Sequence, residues 1–108
     1  MSSRRRDNTA PIFAALGDET RLQLVTRLSA AGPMSIARLT DGTKVSRQAV
    51  TKHLGVLASA GLVRDRRRGR ERIWALDPRP LEDARQSLDR ISAQWDIALS
   101  KLKAFVED

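Results

Sequence analysis

A chain of 108 residues makes one domain, and a domain of that size buries only about 60 to 70% of its unfolded surface, so a partner is one way to complete its core. The absence of cysteine excludes a disulfide framework, a thiolate metal site and a cysteine nucleophile, and no apolar run approaches the roughly 18 residues of a membrane span. The net charge of +7 is uneven, with fifteen Lys and Arg against six Asp and Glu in residues 1–76 and five against seven in residues 77–108, a one-sided positive field that favours polyanions.

Residues 1–9 are expected to be a disordered basic arm, because Arg4, Arg5 and Arg6 sit there without apolar periodicity. The start MSSRRRDNTAPIF also lacks the apolar run of a signal peptide, so a cytoplasmic protein without membrane contact is expected. Ile12, Phe13 and Leu16 then mark a short helix stopped at Gly17. Asp18 is a natural N-cap for a second helix, Glu19 suits its positive end, and Leu22, Val25 and Leu28 form its inward stripe up to Ala31, Gly32 and Pro33. Ser35 can cap a short third helix with Ile36 and Leu39 inward, before Asp41 and Gly42 turn the chain.

Taking Ser46 as the next N-cap and advancing 100° per residue, Val50, His53, Leu54 and Leu57 fall on one side, with Ala49 at its edge. Gln48, Thr51, Lys52, Gly55 and Ser59 fall on the other, with Arg47 on its margin. Two short helices joined by a turn, the second opening with amide, hydroxyl and ammonium groups, form a helix-turn-helix that suits a DNA major groove. After Gly61, residues Leu62 to Leu76 read as a hairpin turning at Gly69, with Trp74 and Leu76 on one face. Arg64, Arg66, Arg67, Arg68, Arg70 and Arg72 crowd it against only Asp65 and Glu71, a repulsion that an external anion would answer. Such a wing tracks phosphates or enters a narrow minor groove.

Beyond Asp77, two prolines fit the first turn of a helix, and Glu82 and Asp83 favour its positive end. Leu81, Ala84, Leu88, Ile91, Trp95, Ala98, Leu102 and Phe105 then alternate spacings of three and four. This heptad-like seam runs about 37 Å at 1.5 Å per residue, longer than a small winged helix needs to cover itself, so much of it is expected to meet a second copy. The fold class is therefore mainly α with a small β-hairpin: a winged helix-turn-helix over residues 10–76 and a dimerisation helix over 77–108.

The run SRQAVTKHLGVLASAGLV, followed by RDRRRGRERIWALDP and preceded by ALGDETRLQLVTRL, resembles the ArsR-type family of bacterial winged-helix repressors. The resemblance implies a homodimer whose first helix, with Ile12 and Phe13, and last helix, with Leu88, Ile91, Trp95, Ala98, Leu102 and Phe105, form the interface. It also implies that the fourth helix reads the major groove while the wing meets neighbouring backbone. Many members sense metals through paired cysteines in the third helix, and here Ile36, Ala37, Arg38 and Leu39 stand there. The long last helix has no histidine, and His53, on the inward side of the reading helix, fits a hydrogen-bonded packing role better than metal ligation. No metal or cofactor is expected, and the sequence names no small-molecule effector.

The expected function is a homodimeric, sequence-specific transcriptional repressor on double-stranded DNA, with an imperfect palindrome as its site. Arg47 suits guanine, Gln48 adenine, Thr51 a thymine methyl, and Lys52 guanine or phosphate. Gly55 lets the backbone approach closely, Ser46 shares its hydroxyl between cap and phosphate, and Arg66, Arg67, Arg68 and Arg70 position the wing. A non-specific architectural binder is the alternative within nucleic-acid proteins, and an adaptor using the C-terminal helix is a third class. An enzyme is disfavoured, since no serine has a plausible histidine partner and no glycine loop resembles a phosphate cradle.

Overall fold

The computed structural model describes residues 9–107; the expected arm lies outside them, except that Thr9 already belongs to helix α1, Thr9–Leu16. Helix α2, Glu19–Ala31, opens where the Asp18 carboxylate accepts the Arg21 N–H and closes where the Gly32 N–H donates to the Leu28 carbonyl. Strand β1, Met34–Ser35, leads into α3, Ile36–Asp41, whose N-cap Ser35 accepts from the Arg38 N–H. Helix α4, Arg47–Ser59, is capped by Ser46. Strands β2, Val63–Arg68, and β3, Glu71–Leu76, precede the 30-residue helix α5, Pro78–Glu107.

The hairpin is part of a three-stranded antiparallel sheet in the order β1-β3-β2. Met34 pairs with Trp74 and Ser35 with Ile73. Two residues are too few to show a period-2 pattern, so β1 left no trace in the sequence. It nevertheless ties the root of the wing to the start of α3. At the hairpin's tip Gly69 has φ 64°, the left-handed conformation that a two-residue turn requires and that glycine adopts without steric cost.

One core joins the elements: Ile12 and Ala15 of α1, Leu24, Val25 and Leu28 of α2, Leu39 of α3, Val50, Leu54 and Leu57 of α4, Leu62 and Val63, Trp74 of β3 and Ala84 of α5. The expected stripe on α2 is corrected at one point, since Leu22 is 51% exposed while Leu24 is fully buried. At 100° per residue Leu24, Val25 and Leu28 share an arc, and Leu22 lies more than about 100° from its centre. Three-residue steps from Leu22 drift off the face that α4 and β3 cover.

Helix α5 behaves as two pieces. Its first turns pack Ala84 and Leu81 on the core, and from Leu88 onward every described side chain is exposed. At about 1.5 Å per residue the helix is about 45 Å long, and its distal part adds nothing to the core formed by the described residues. Asp77 holds the join. Its buried carboxylate accepts from the Arg79 backbone N–H at 3.1 Å and from the Arg79 guanidinium at 3.0 and 2.7 Å, and Arg64 of β2 lies 3.2 Å away. The guanidinium and backbone N–H of Arg79 hold the Asp77 carboxyl down at about 2.

Candidate nucleic-acid interface

The rotation of α4 about its axis follows from its sequence. Val50, Leu54 and Leu57 are fully buried, which leaves Arg47, Gln48, Thr51, Lys52 and Gly55 exposed on the opposite side. Local hydrogen bonds then set what each group can offer. The Thr51 hydroxyl donates to the Arg47 carbonyl at 2.9 Å, so its proton is committed to the helix and its methyl is the group left for a partner. Ser46 accepts from the Ala49 N–H at 3.1 Å, which leaves the hydroxyl proton free to donate outward. Among the described residues a Cβ at Gly55 would meet nothing beyond its own stretch of helix within 4 Å, so packing among them does not call for glycine there.

Two arginines brace the approach to this helix, one at the end of α3 and one against His53 on its rear, and neither role is marked in the sequence. Arg27 of α2 donates to the Leu39 carbonyl at 2.8 Å and to the Arg38 carbonyl at 3.0 Å, satisfying carbonyls at the end of α3. Its guanidinium occupies the space where a Cβ of Gly42 would stand. Gly42 has an ordinary φ of −88°, so room for Arg27 is the requirement there. Arg21 donates through Nε to the Ala15 carbonyl at 2.6 Å, and its Nη1 lies 3.3 Å from His53 Nδ1. His53, on the rear of α4, is thus tied to α2, with Asp18 Oδ2 3.7 Å away. The Arg21 backbone N–H on Asp18 holds that carboxyl below its usual range.

The wing's register decides where its arginines stand. Arg64 pairs with Ala75, Asp65 with Trp74, Arg66 with Ile73, Arg67 with Arg72 and Arg68 with Glu71. Because alternate residues share a face, Asp65, Arg67, Arg72 and buried Trp74 lie on one side and Arg64, Arg66 and Arg68 on the other. Arg67, Arg70 and Arg72 line a groove with Arg47 and Thr51 of α4 and with Ser35 and Ala37. The structure thus brings Arg67 and Arg70 together with the start of α4, while Arg66 and Arg68 stand on the outer face. Arg72 was not among the expected site residues, although counting back two from Trp74 places it on the same face.

For the expected dimer surface, Leu88, Ile91, Trp95, Leu102 and Phe105 are 45 to 78% exposed, and Ala98 is exposed between them. Leu99 and Val106, also exposed, fall on the same helical arc and widen it. Ile12 needs correction: it is 4% exposed, consumed by its own protomer's core, and half-buried Phe13 and Leu16 are the large residues of α1 left partly open. Among the described residues no three His, Asp or Glu side chains converge as a metal-ligand set, and no helix is long and apolar enough to cross a membrane.

Comparison with known proteins places this geometry. A family model described as a helix-turn-helix domain matches residues 16–66. An HTH-type transcriptional regulator of Mycobacterium tuberculosis is 43% identical over 100 residues, covering 93% of this chain and 88% of that protein. The arsenical resistance operon repressor of Escherichia coli is 30% identical over 97 residues, covering 90% and 80% respectively. Among solved structures, an ArsR-like transcriptional regulator from a Rhodococcus species superposes with a TM-score of 0.74 at 38% identity, covering 93% of each chain. A homodimeric winged helix-turn-helix DNA-binding domain from Mycobacterium bovis superposes with a TM-score of 0.65 at 24% identity, covering 93% of this chain and 89% of that one.

Proposed function

The chain belongs to the ArsR-type family of winged helix-turn-helix transcriptional regulators, and from that premise we propose that it is a homodimeric, sequence-specific repressor that occludes promoter DNA. The observation that carries the reading is α4: three fully buried residues lock its rotation, and an unbroken polar face opens beside an arginine-rich wing. Arg47, Gln48, Thr51 and Lys52 read base edges, Arg47 by a bidentate fork to guanine, Gln48 to adenine and Thr51 by its free methyl to thymine. Ser46 donates to a phosphate, and Gly55 allows the backbone to come close.

The dimer reading rests on the exposed apolar arc of α5, which a monomer leaves in water, and on the similar fold of the homodimeric M. bovis domain. Two-fold symmetry then presents two copies of α4, so the site is an imperfect palindrome with half-sites about one helical turn, or a small multiple, apart. Selection of duplexes from a random library by the full chain tests this: two inverted half-sites should be enriched. Unpaired half-sites would contradict the dimer, and no enrichment would contradict sequence reading. On the enriched site, Gln48→Ala should relax preference at one base position by about 1 to 3 kcal/mol.

The wing also favours a second reading. Its six arginines could bind backbone without reading bases, as an architectural protein does. That protein would show no preferred duplex.

A further inference from the structure

The groove between α4 and the wing collects guanidinium groups from separate elements: Arg47 from the helix, Arg67 and Arg72 from the two paired strands, and Arg70 from the turn between them. Like charges directly opposite one another across a strand pair repel, and Arg67 and Arg72 are such a pair. The carboxylate of Asp65 answers Arg72 at 3.0 Å. Among the described residues Arg47, Arg67 and Arg70 have no carboxylate within ion-pair distance, although Glu71 stands at the rim of the groove.

We infer that this groove is a phosphodiester clamp, in which the backbone of one DNA strand runs between α4 and the wing and is held by Arg67, Arg70 and Arg72, with Arg47 on its wall left to the base edge; Arg66, expected from the sequence alone to share the wing's contacts, stands on the outer face and makes none. The inference rests on the DNA-binding reading and narrows it to one face of the hairpin. Planar guanidinium forks match phosphate oxygens in pairs. A groove walled on one side by the start of the reading helix receives the backbone of the strand whose bases that helix meets. Asp65 acts as a positioning residue, holding Arg72 beside Arg67 against their mutual repulsion. The outer face differs in kind: Arg64 is engaged by Asp77 at 3.2 Å, and Arg66 stands opposite Ile73.

The test compares Arg67→Gln and Arg72→Gln with Arg66→Gln in the full chain, by anisotropy on its selected duplex over a salt series. All three side chains are exposed, so thermal melting should be the same for each and fold loss is separable from binding loss. Each inner substitution should weaken binding at least about tenfold and lower the salt slope by about two per dimer, one phosphate contact in each protomer. Arg66→Gln should stay within about twofold with the slope unchanged. Losses from Arg66→Gln equal to those from Arg72→Gln would overturn the clamp and leave the DNA reading standing. A parent chain that binds no duplex would overturn both. Inorganic phosphate, at the ionic strength of a chloride control, should displace DNA no better than chloride. Saturable phosphate binding lost in Arg72→Gln would make the groove a free-anion site instead.

Discussion

Leu54 and Leu102 are the same residue, each on the apolar side of a helix, yet Leu54 is fully buried and Leu102 is 56% exposed. The region from α1 to Ala84 closes most of its apolar surface within one chain, Leu22 and Val56 excepted. The rest of α5 repeats the same kind of surface and leaves it open. Hydrophobic burial contributes only when something covers it, so the closed region is expected to fold on its own account and the open helix to depend on a second copy. The difference teaches where a single chain's stability ends and an assembly's begins.

The strongest way to break the comparison is Trp95→Asp, which places a charge in the middle of the open arc. Sedimentation should show the dimer dissociation constant raised by at least about a thousandfold, since burying an unpaired carboxylate costs several kcal/mol, with the secondary structure of the closed region intact. An unchanged dimer would move the interface elsewhere. In the closed region, Leu54→Ala should cost about 2 to 5 kcal/mol in chemical denaturation. Leu102→Ala should instead show its cost as a stronger dependence of melting temperature on protein concentration. Equal, concentration-independent losses from both would erase the distinction.

Smaller effects come from the places that position α4 and join the two regions. Gly42→Ala pushes a methyl into the Arg27 guanidinium, which must swing off the Leu39 and Arg38 carbonyls, and should cost about 0.5 to 1.5 kcal/mol of stability in chemical denaturation for the lost hydrogen bonds. Asp77→Ala removes the cap of α5 and its arginine partners, at about 1 kcal/mol for the cap. The acid dependence has a definite sign. The folded carboxyl sits at about 2, below its ordinary 3.8, so its contribution is present above about pH 4 and is lost as pH falls toward 2. Melting temperature should therefore drop less steeply through that window in Asp77→Asn than in the parent.

Much of this architecture is legible in the sequence because it rests on local rules. The caps Asp18, Ser35 and Ser46, the stops at Gly32 and Gly61, the glycine turn of the wing and the two faces of α4 each follow from a few neighbouring residues. What escaped depends on residues far apart in the chain. Strand β1 exists because Met34 and Ser35 meet β3, and a two-residue strand has no periodicity to read. Arg27 pairs with carbonyls 11 and 12 residues away, and an arginine on a helix surface carries no mark of such a bond. Ile12 and Phe13 are adjacent and equally apolar, and only the packing of α1 sends one into the core and leaves the other half-buried. The candidate site divides the same way: the exposed polar face of α4 follows from helical periodicity, whereas the place of Arg72 beside Arg67 follows from the register of the hairpin.

The most direct test of the central claim, that two copies of this chain read DNA together, is competition between a duplex carrying both selected half-sites and the same duplex with one half-site scrambled. Anisotropy at fixed salt should show the intact palindrome preferred by at least about a hundredfold, since each mismatched base pair costs about 1 to 3 kcal/mol. Equal affinities that fall together as salt rises would contradict the account and leave an arginine-rich protein that holds DNA without reading it.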